Sequence, residues 1–274
     1  MSGVDTVPDP HGSPQRPPAF DTSVPHSARV MNYWLGGKDW YPADRAMGDQ
    51  ILESFPEIVA VMRADRVFLE RAVTFLVRDA GVRQFLDLGT GLPTANNTHE
   101  VAQAIAPESR IVYVDNDPLV LTHARALLTS APQGATEYVD ADVRDTDRIL
   151  TEAAATLDFS KPIAVSLLGI TTHLEDDEAY GVVRRYVDAL PVGSYLALCD
   201  CTDTSDAIVR AASRWNESAS PPVRLRTIEG ITSFFDGLEV QPPGVVPALR
   251  WRPGHTDIGG VKDVDLYGGI GRKV

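Results

Sequence analysis

Residues 84–96 read QFLDLGTGLPTAN: an apolar run that ends at Asp87, turns through Gly89 and Gly91, and reaches Pro93 before any helix begins. An acid and two glycines after a strand make a ligand-binding turn, because glycine lets the backbone approach a ligand closely and takes up positive φ without a Cβ penalty. Two further acids follow comparable runs: Asp115 in VYVDNDP, 28 positions on (115 − 87), and Asp142 in DADVRD. A carboxylate placed as Asp115 is can accept hydrogen bonds from a ribose diol. Three carboxylates above three adjacent strands repel a diphosphate and suit a nucleoside whose other end carries an ammonium or a sulfonium.

That charge argument separates two cofactors. A nicotinamide dinucleotide calls for the full G-x-G-x-x-G and a helix N-terminus facing its pyrophosphate. Here the fourth position after Gly89 is Pro93 and the third glycine is missing. S-adenosylmethionine carries no phosphate and is positive at sulfur and at its amino group, so the acids fit it. No metal is required for methyl transfer from such a sulfonium.

The elements that hold these residues are legible from periodicity. VRQFLDL, RIVYVD, ATEYVD, PIAVSLLG and SYLALCD read as buried parallel strands. Helices are expected from the NNTHEVAQAIA region, at DPLVLTHARALL with Asp117 as cap and Pro118 in the first turn, near 145–156 and at 176–190. Five such units specify a doubly wound α/β sheet. Upstream, residues 57–81 place Ile58, Met62, Leu69, Val73 and Leu76 at helical intervals, with Gly81 as the C-terminal cap. Downstream, TIEGITSFFDG reads as a short helix, and LEVQPPGVVPALRW and DVDLYGGIGRK as two final strands joined by a proline-rich excursion.

The 274 residues suit one large domain or a domain with an appended segment, and a 43% hydrophobic content supplies its core. Residues 1–22 carry five prolines and no apolar periodicity, the composition of a disordered tail. Residues 23–81 read as an N-terminal lid with helices and 82–274 as the sheet domain. No run approaches the roughly 18 apolar residues of a membrane span and the N-terminus lacks a signal-peptide centre, so a cytoplasmic protein without membrane contact is expected. A net charge of −13, with only short basic runs at 184–186 and 224–226, disfavours nucleic acid and favours a small-molecule partner. A homodimer is compatible with the sequence. Cys199 and Cys201, one residue apart, are too close for an unstrained disulfide and lack companions for zinc.

The chain resembles the class I S-adenosylmethionine-dependent methyltransferases, and within them an actinobacterial family first classed as a domain of unknown function. The motifs that carry the resemblance are LGGKD (35–39), RADRVFLERAV (63–73), QFLDLGTGLPTANNTHEVAQ (84–103) and VYVDNDPLVLTHARALL (112–128). It implies a Rossmann-like, mostly parallel seven-stranded sheet with a terminal antiparallel strand pair and an N-terminal helical lid. It also implies that Asp87, Gly89 and Gly91 line the methionine part of the cofactor, that Asp115 with Asn116 holds the ribose, and that Asp142 and Val143 flank adenine. LGGKD becomes a lid over the cofactor, in which Gly37 lies close, Lys38 and Asp39 fix the segment, and Arg66 steers it or the cofactor carboxylate. S-adenosylhomocysteine is then the product. Three departures from the family pattern stand out: Asn96 replaces a glycine, Trp40-Tyr41 a smaller pair, and GITTHLEDDE a more apolar run.

The last two departures fall where substrate belongs. His173 follows the fourth strand and, with an ordinary pKa of about 6.5, suits proton removal from an acceptor. Tyr33, Trp40 and Tyr41 are candidates to wall a flat substrate, and Trp34 to anchor the segment. Glu175 is a candidate contact for a substrate amine, and His99 reads as structural. The acceptor suggested by this aromatic lid is a flat secondary metabolite, with an indole or a tryptophan-derived cyclic dipeptide foremost; His173 or Tyr41 would take its proton. The competing reading is a non-catalytic S-adenosylmethionine-binding sensor or regulatory protein.

Overall fold

Side-chain alternation along the strands divides the protein into two cores. In β1 (Gln84–Leu88), Phe85 faces one side while Leu86 and Leu88 face the other, because successive strand residues point to opposite faces. β2 (Arg110–Asp115) repeats this with Ile111 and Tyr113 against Val112 and Val114. The computed structural model describes residues 21–127, 129–254 and 262–274; most of the expected tail at 1–22 and residues 255–261 of the proline-rich excursion lie outside them.

The sheet continues with β3 (Ala135–Asp140), β4 (Ala164–Leu168) and β5 (Tyr195–Cys201), all parallel to β1. The order β3-β2-β1-β4-β5 reverses direction between β1 and β4. Loops leaving those two strands therefore diverge and open a crevice above them. β8 (Leu266–Arg272) then adds antiparallel to β5. The expected penultimate strand is split: β6 (Glu239–Val240) and β7 (Val246–Pro247) pair separately with β8, so among the described residues the sheet has eight strands where seven were expected. Pro242 and Pro243 lie between the two pieces and have no N–H to continue a ladder.

The long helix expected at 57–81 is α3 (Ile58–Arg78), preceded by α1 (Ser27–Trp34) and α2 (Pro42–Ser54). Gly81 takes φ +72° as the chain turns back, and the Val82 N–H donates to the Leu76 carbonyl at 2.8 Å. Phe68, Leu69, Val73 and Leu76 of α3 pack into the core that contains Phe85, Ile111 and Tyr195. Each such full burial is worth about 1.5–3 kcal/mol. Ile208 and Trp215 of α8 (Asp206–Asn216) join the same core. The opposite face is covered by α6 (Thr146–Ala153), α7 (Asp176–Ala189) and α9 (Ile228–Ser233) through Ile149, Val182, Tyr186 and Ile231. α4 (Thr98–Ile105) and α5 (Pro118–Leu127) follow β1 and β2.

One buried carboxylate fastens α1 to α2. Asp44, with no exposed surface, accepts hydrogen bonds from the His26 N–H (2.9 Å), the Arg29 Nε (2.9 Å) and the Tyr41 N–H (2.8 Å). A strap at 220–226 closes over the far side, since the Ser27 N–H donates to Ser220 O and the Ser220 N–H to Pro25 O. Cys199 and Cys201 are free thiols.

Candidate active site

The turn after β1 is built by glycine and read by Asp115. Gly89 takes φ +72°, and a Cβ there would stand 2.6 Å from Ile170 Cγ1, so both conformation and space demand glycine. The Gly91 N–H donates to Asp115 Oδ2 and the Asp117 N–H to Asp115 Oδ1, each at 2.9 Å. Burial pushes the Asp115 carboxyl up to about 6 despite these two bonds. Asn97 caps α4, with its N–H donating to Glu100 Oε2 at 2.7 Å. Asn96, the departure from glycine, sits at φ +60°. Asparagine is among the few residues that visit this left-handed region readily, so the tight turn survives the replacement.

Above the strand ends lies a cavity of about 570 Å³. At one end its wall is formed by Gly89, Gly91, Asp115, Asn116, Asp142 and Val143. Asp142 forms a hydrogen-bonded corner there, accepting from the Arg144 N–H at 2.9 Å and from Asn116 Nδ2 at 3.3 Å. Past β4 and β5 the wall is mixed: Met31, Trp34, Met62, Ile208 and Trp215 give it apolar surface beside the carboxylates of Asp65 and Asp200. Thus the cavity has a polar end bearing Asp115 and Asp142 that could take a nucleoside, and a part with a large apolar surface that could take a flat body.

His173 is also part of this wall, in the one-turn 3-10 segment Thr171–His173 that follows β4. The segment is held by Arg226, itself 4% exposed, whose guanidinium donates to Thr171 O and Leu174 O at 2.9 Å each. His173 Nδ1 is 2.9 Å from Pro222 O. A carbonyl only accepts, so Nδ1 carries the proton and Nε2 keeps a bare lone pair. Burial pushes the ring down to about 4, below the ordinary value expected from the sequence. It is therefore a neutral imidazole near pH 7, and a weaker base than an unperturbed histidine. Glu175, also in the wall, is the N-cap residue of α7 and pairs with Arg224.

Other expected residues stand elsewhere. Asp87 is 6% exposed and lies beneath the turn, where it accepts from Thr98 Oγ1 (2.6 Å) and Ser166 Oγ (2.8 Å). Ser166 is its register partner on β4, so Asp87 locks β1, β4 and the start of α4 together instead of lining the cavity. Arg66 donates to the carbonyls of Asn96 (3.2 Å) and Ala95 (3.4 Å), clamping the turn from outside. Tyr33 donates to Asp49 Oδ1 at 2.5 Å, and Trp40 Nε1 to Gly37 O at 2.9 Å. These two rings meet edge-on at 5.3 Å, away from the cavity wall. Tyr41, Gly37 and Lys38 are outside the wall too. A Cβ on Gly37 would stand 2.2 Å from Asn32 Oδ1, so the 35–39 segment is folded tightly onto α1.

Helical phase explains the exchange. Ser27, Met31 and Trp34, at i, i+4 and i+7, share the face of α1 that meets the cavity, and Tyr33 points about 100° away from Trp34. Trp34, expected only to anchor, is therefore in the wall. His99 is structural as read: its N–H and Nδ1 both contact the Tyr113 hydroxyl at 2.8 Å. The sequence reading missed Asp65, Asp200 and His26, all in the wall. A signal for Asp65 existed, since it interrupts an apolar face made by Val61, Ala64, Phe68, Leu69 and Ala72. Asp200, lifted by burial to about 6, is held by the Thr171 hydroxyl, with Arg226 Nη1 3.6 Å away. His26 Nδ1 stands 3.0 Å from Asp117 Oδ2, tying α1 to the loop that carries Asp115.

Comparison with known proteins agrees with this architecture. No curated protein sequence matches the chain. A DUF574-family protein of Streptomyces avermitilis is 44% identical, with a TM-score of 0.89 over 93% of this chain and 99% of its own. A Thermobifida fusca protein assigned to the methyltransferases is 42% identical, with a TM-score of 0.85 over 95% of this chain and 99% of its own. At 16% identity, an O-methyltransferase family protein of Burkholderia thailandensis shares the fold alone, with a TM-score of 0.50 over 74% of this chain and 55% of its own. The family described as S-adenosyl methyltransferase matches residues 13–274, and the chain belongs to that family of S-adenosylmethionine-dependent enzymes.

Proposed function

We propose that the protein methylates a small, flat, largely apolar acceptor of secondary metabolism, with an indole ring or a tryptophan-derived cyclic dipeptide as the first candidates. The observation that carries this reading is the continuity of one cavity from the Asp115–Asp142 end to the compartment walled by Met31, Trp34, Met62, Ile208 and Trp215.

In this reading Asp115 accepts from the ribose diol, Asn116 and Asp142 border the nucleoside, Val143 packs on the base, and Gly89 and Gly91 leave room for the chain beyond it. Bound there, S-adenosylmethionine supplies a methyl group on a cationic sulfur, already activated for transfer. The protein's own task is then mainly alignment, which is worth on the order of 7–11 kcal/mol. The apolar walls exclude water and hold the acceptor against the methyl-bearing end. Where the acceptor atom carries a proton, His173 Nε2 offers a lone pair in the wall to receive it; a matched base contributes about 10²–10⁴-fold, and the lowered basicity of this ring places it toward the lower end.

Incubation of the purified chain with isotope-labelled S-adenosylmethionine and a panel of indoles and cyclic dipeptides tests this reading. A product heavier by one methylene is expected, and His173→Gln should lower kcat with little change in KM for the acceptor. Cofactor uptake with no acceptor modified, producer-cell extract included, would favour the sensor reading instead.

A further inference from the structure

The floor of the cavity contains a carboxylate that the nucleoside does not need. Asp65, on α3, is 7% exposed and lines the cavity beside Gly89 and Gly169. A Cβ added to Gly169, the residue after β4, would lie 4.0 Å from its Oδ1. Among the described residues its hydrogen-bond partner is the Cys199 thiol, whose Sγ is 3.2 Å from Oδ1. No Lys or Arg nitrogen of the described residues lies within ion-pair distance of it. Asp200, the neighbouring buried acid, has Arg226. Burial raises the Asp65 carboxyl, as does Asp87, while Arg66 pulls it down.

A buried carboxylate without a cation is costly, and the cost is offset when a ligand brings the missing charge. The direction of the cofactor chain follows from the topology. With the nucleoside over Asp115 and Asp142, on the β2 and β3 side, the aminoacyl arm runs across the Gly89–Gly91 turn toward β4 and β5, where Asp65 stands. A sulfonium has no N–H or O–H to donate, whereas an ammonium has three N–H donors matched to carboxylate lone pairs. We infer that Asp65 is the binding site for the cofactor's α-ammonium group, so that α3 supplies a charge contact to the aminoacyl arm from outside the sheet. The inference rests on the cofactor placement above and is independent of which acceptor is methylated.

Calorimetric titration of the full chain with S-adenosylmethionine, S-adenosylhomocysteine and 5′-methylthioadenosine, which keeps the nucleoside and lacks the aminoacyl arm, tests it. Asp65→Asn should weaken the first two by on the order of 10- to 100-fold and leave 5′-methylthioadenosine within about threefold. The ligand-free Asn variant should melt at the wild-type temperature or above, because it removes an uncompensated buried charge. Unchanged affinity for all three ligands, or an equal loss for all three, overturns the assignment. Loss confined to S-adenosylmethionine moves the contact to the sulfonium and overturns it too. Should the Asn variant not fold, the wild-type chain decides: S-adenosylhomocysteine stripped of its amino group should bind at least about tenfold more weakly than the parent, and equal affinity overturns the assignment. A wild-type chain that takes up none of these ligands would sink the cofactor placement itself, an outcome distinct from selective failure of the ammonium contact.

Discussion

Protonation of Asp115 gives the proposed cofactor site a measurable signature. In the ligand-free protein burial lifts its carboxyl to about 6, while the N–H groups of Asp117 and Gly91 pull the other way. Ribose hydroxyls donate best to an ionised carboxylate, so a bound nucleoside should return the group to its ordinary range near about 4. Binding then releases a proton wherever Asp115 was protonated beforehand. With a midpoint of about 6, roughly nine-tenths of the carboxyl is protonated at about pH 5 and about one-tenth at about pH 7, so affinity for S-adenosylhomocysteine should fall roughly tenfold between the two. Folding linkage has the matching sign: the stability this raised group contributes is complete below about pH 4 and is lost as pH rises through about 6. Calorimetry in two buffers of different ionisation heat should count about half a proton released at about pH 6. Asp115→Asn should flatten the profile. That control is needed because burial also lifts Asp200 to about 6 in the same cavity. A flat wild-type profile, or a slope that survives in the Asn variant, would refute the reasoning.

Three further outcomes follow from the geometry. Nitrogen NMR should find His173 as the neutral Nδ1–H tautomer down to about pH 5, titrating near 4; this lowered group stabilises the fold fully above about 6.5 and loses that contribution as pH falls through its folded value. Asp44→Ala removes the acceptor of three donors, the buried Arg29 guanidinium among them, so denaturant unfolding should record a loss of about 3–5 kcal/mol. Gly89→Ala must place a Cβ 2.6 Å from Ile170 Cγ1 at φ +72°; nucleoside affinity measured by calorimetry should drop at least about tenfold, from strain of about 1–2 kcal/mol and a displaced turn.

The sequence alone determined the elements whose signal is local. Strand alternation, the Asp117–Pro118 helix start, the glycine turn after β1 and the acids at the strand ends each depend on neighbours a few residues away, and each lies where it was expected. The long-range contacts belong to the tertiary structure. Whether Asp87 faces a ligand or the interior depends on Ser166, 79 positions away, and on Thr98. Whether Tyr33 or Trp34 reaches the cavity depends on the rotation of α1, fixed by Asp44 and by the strap at Ser220. The ionisation of His173 is likewise set by Pro222 and by burial under segments remote in the chain. Local propensity specifies which residues form an element, but the rotation of that element about its axis, and so the side chains it presents to a ligand, is settled only when distant surfaces pack.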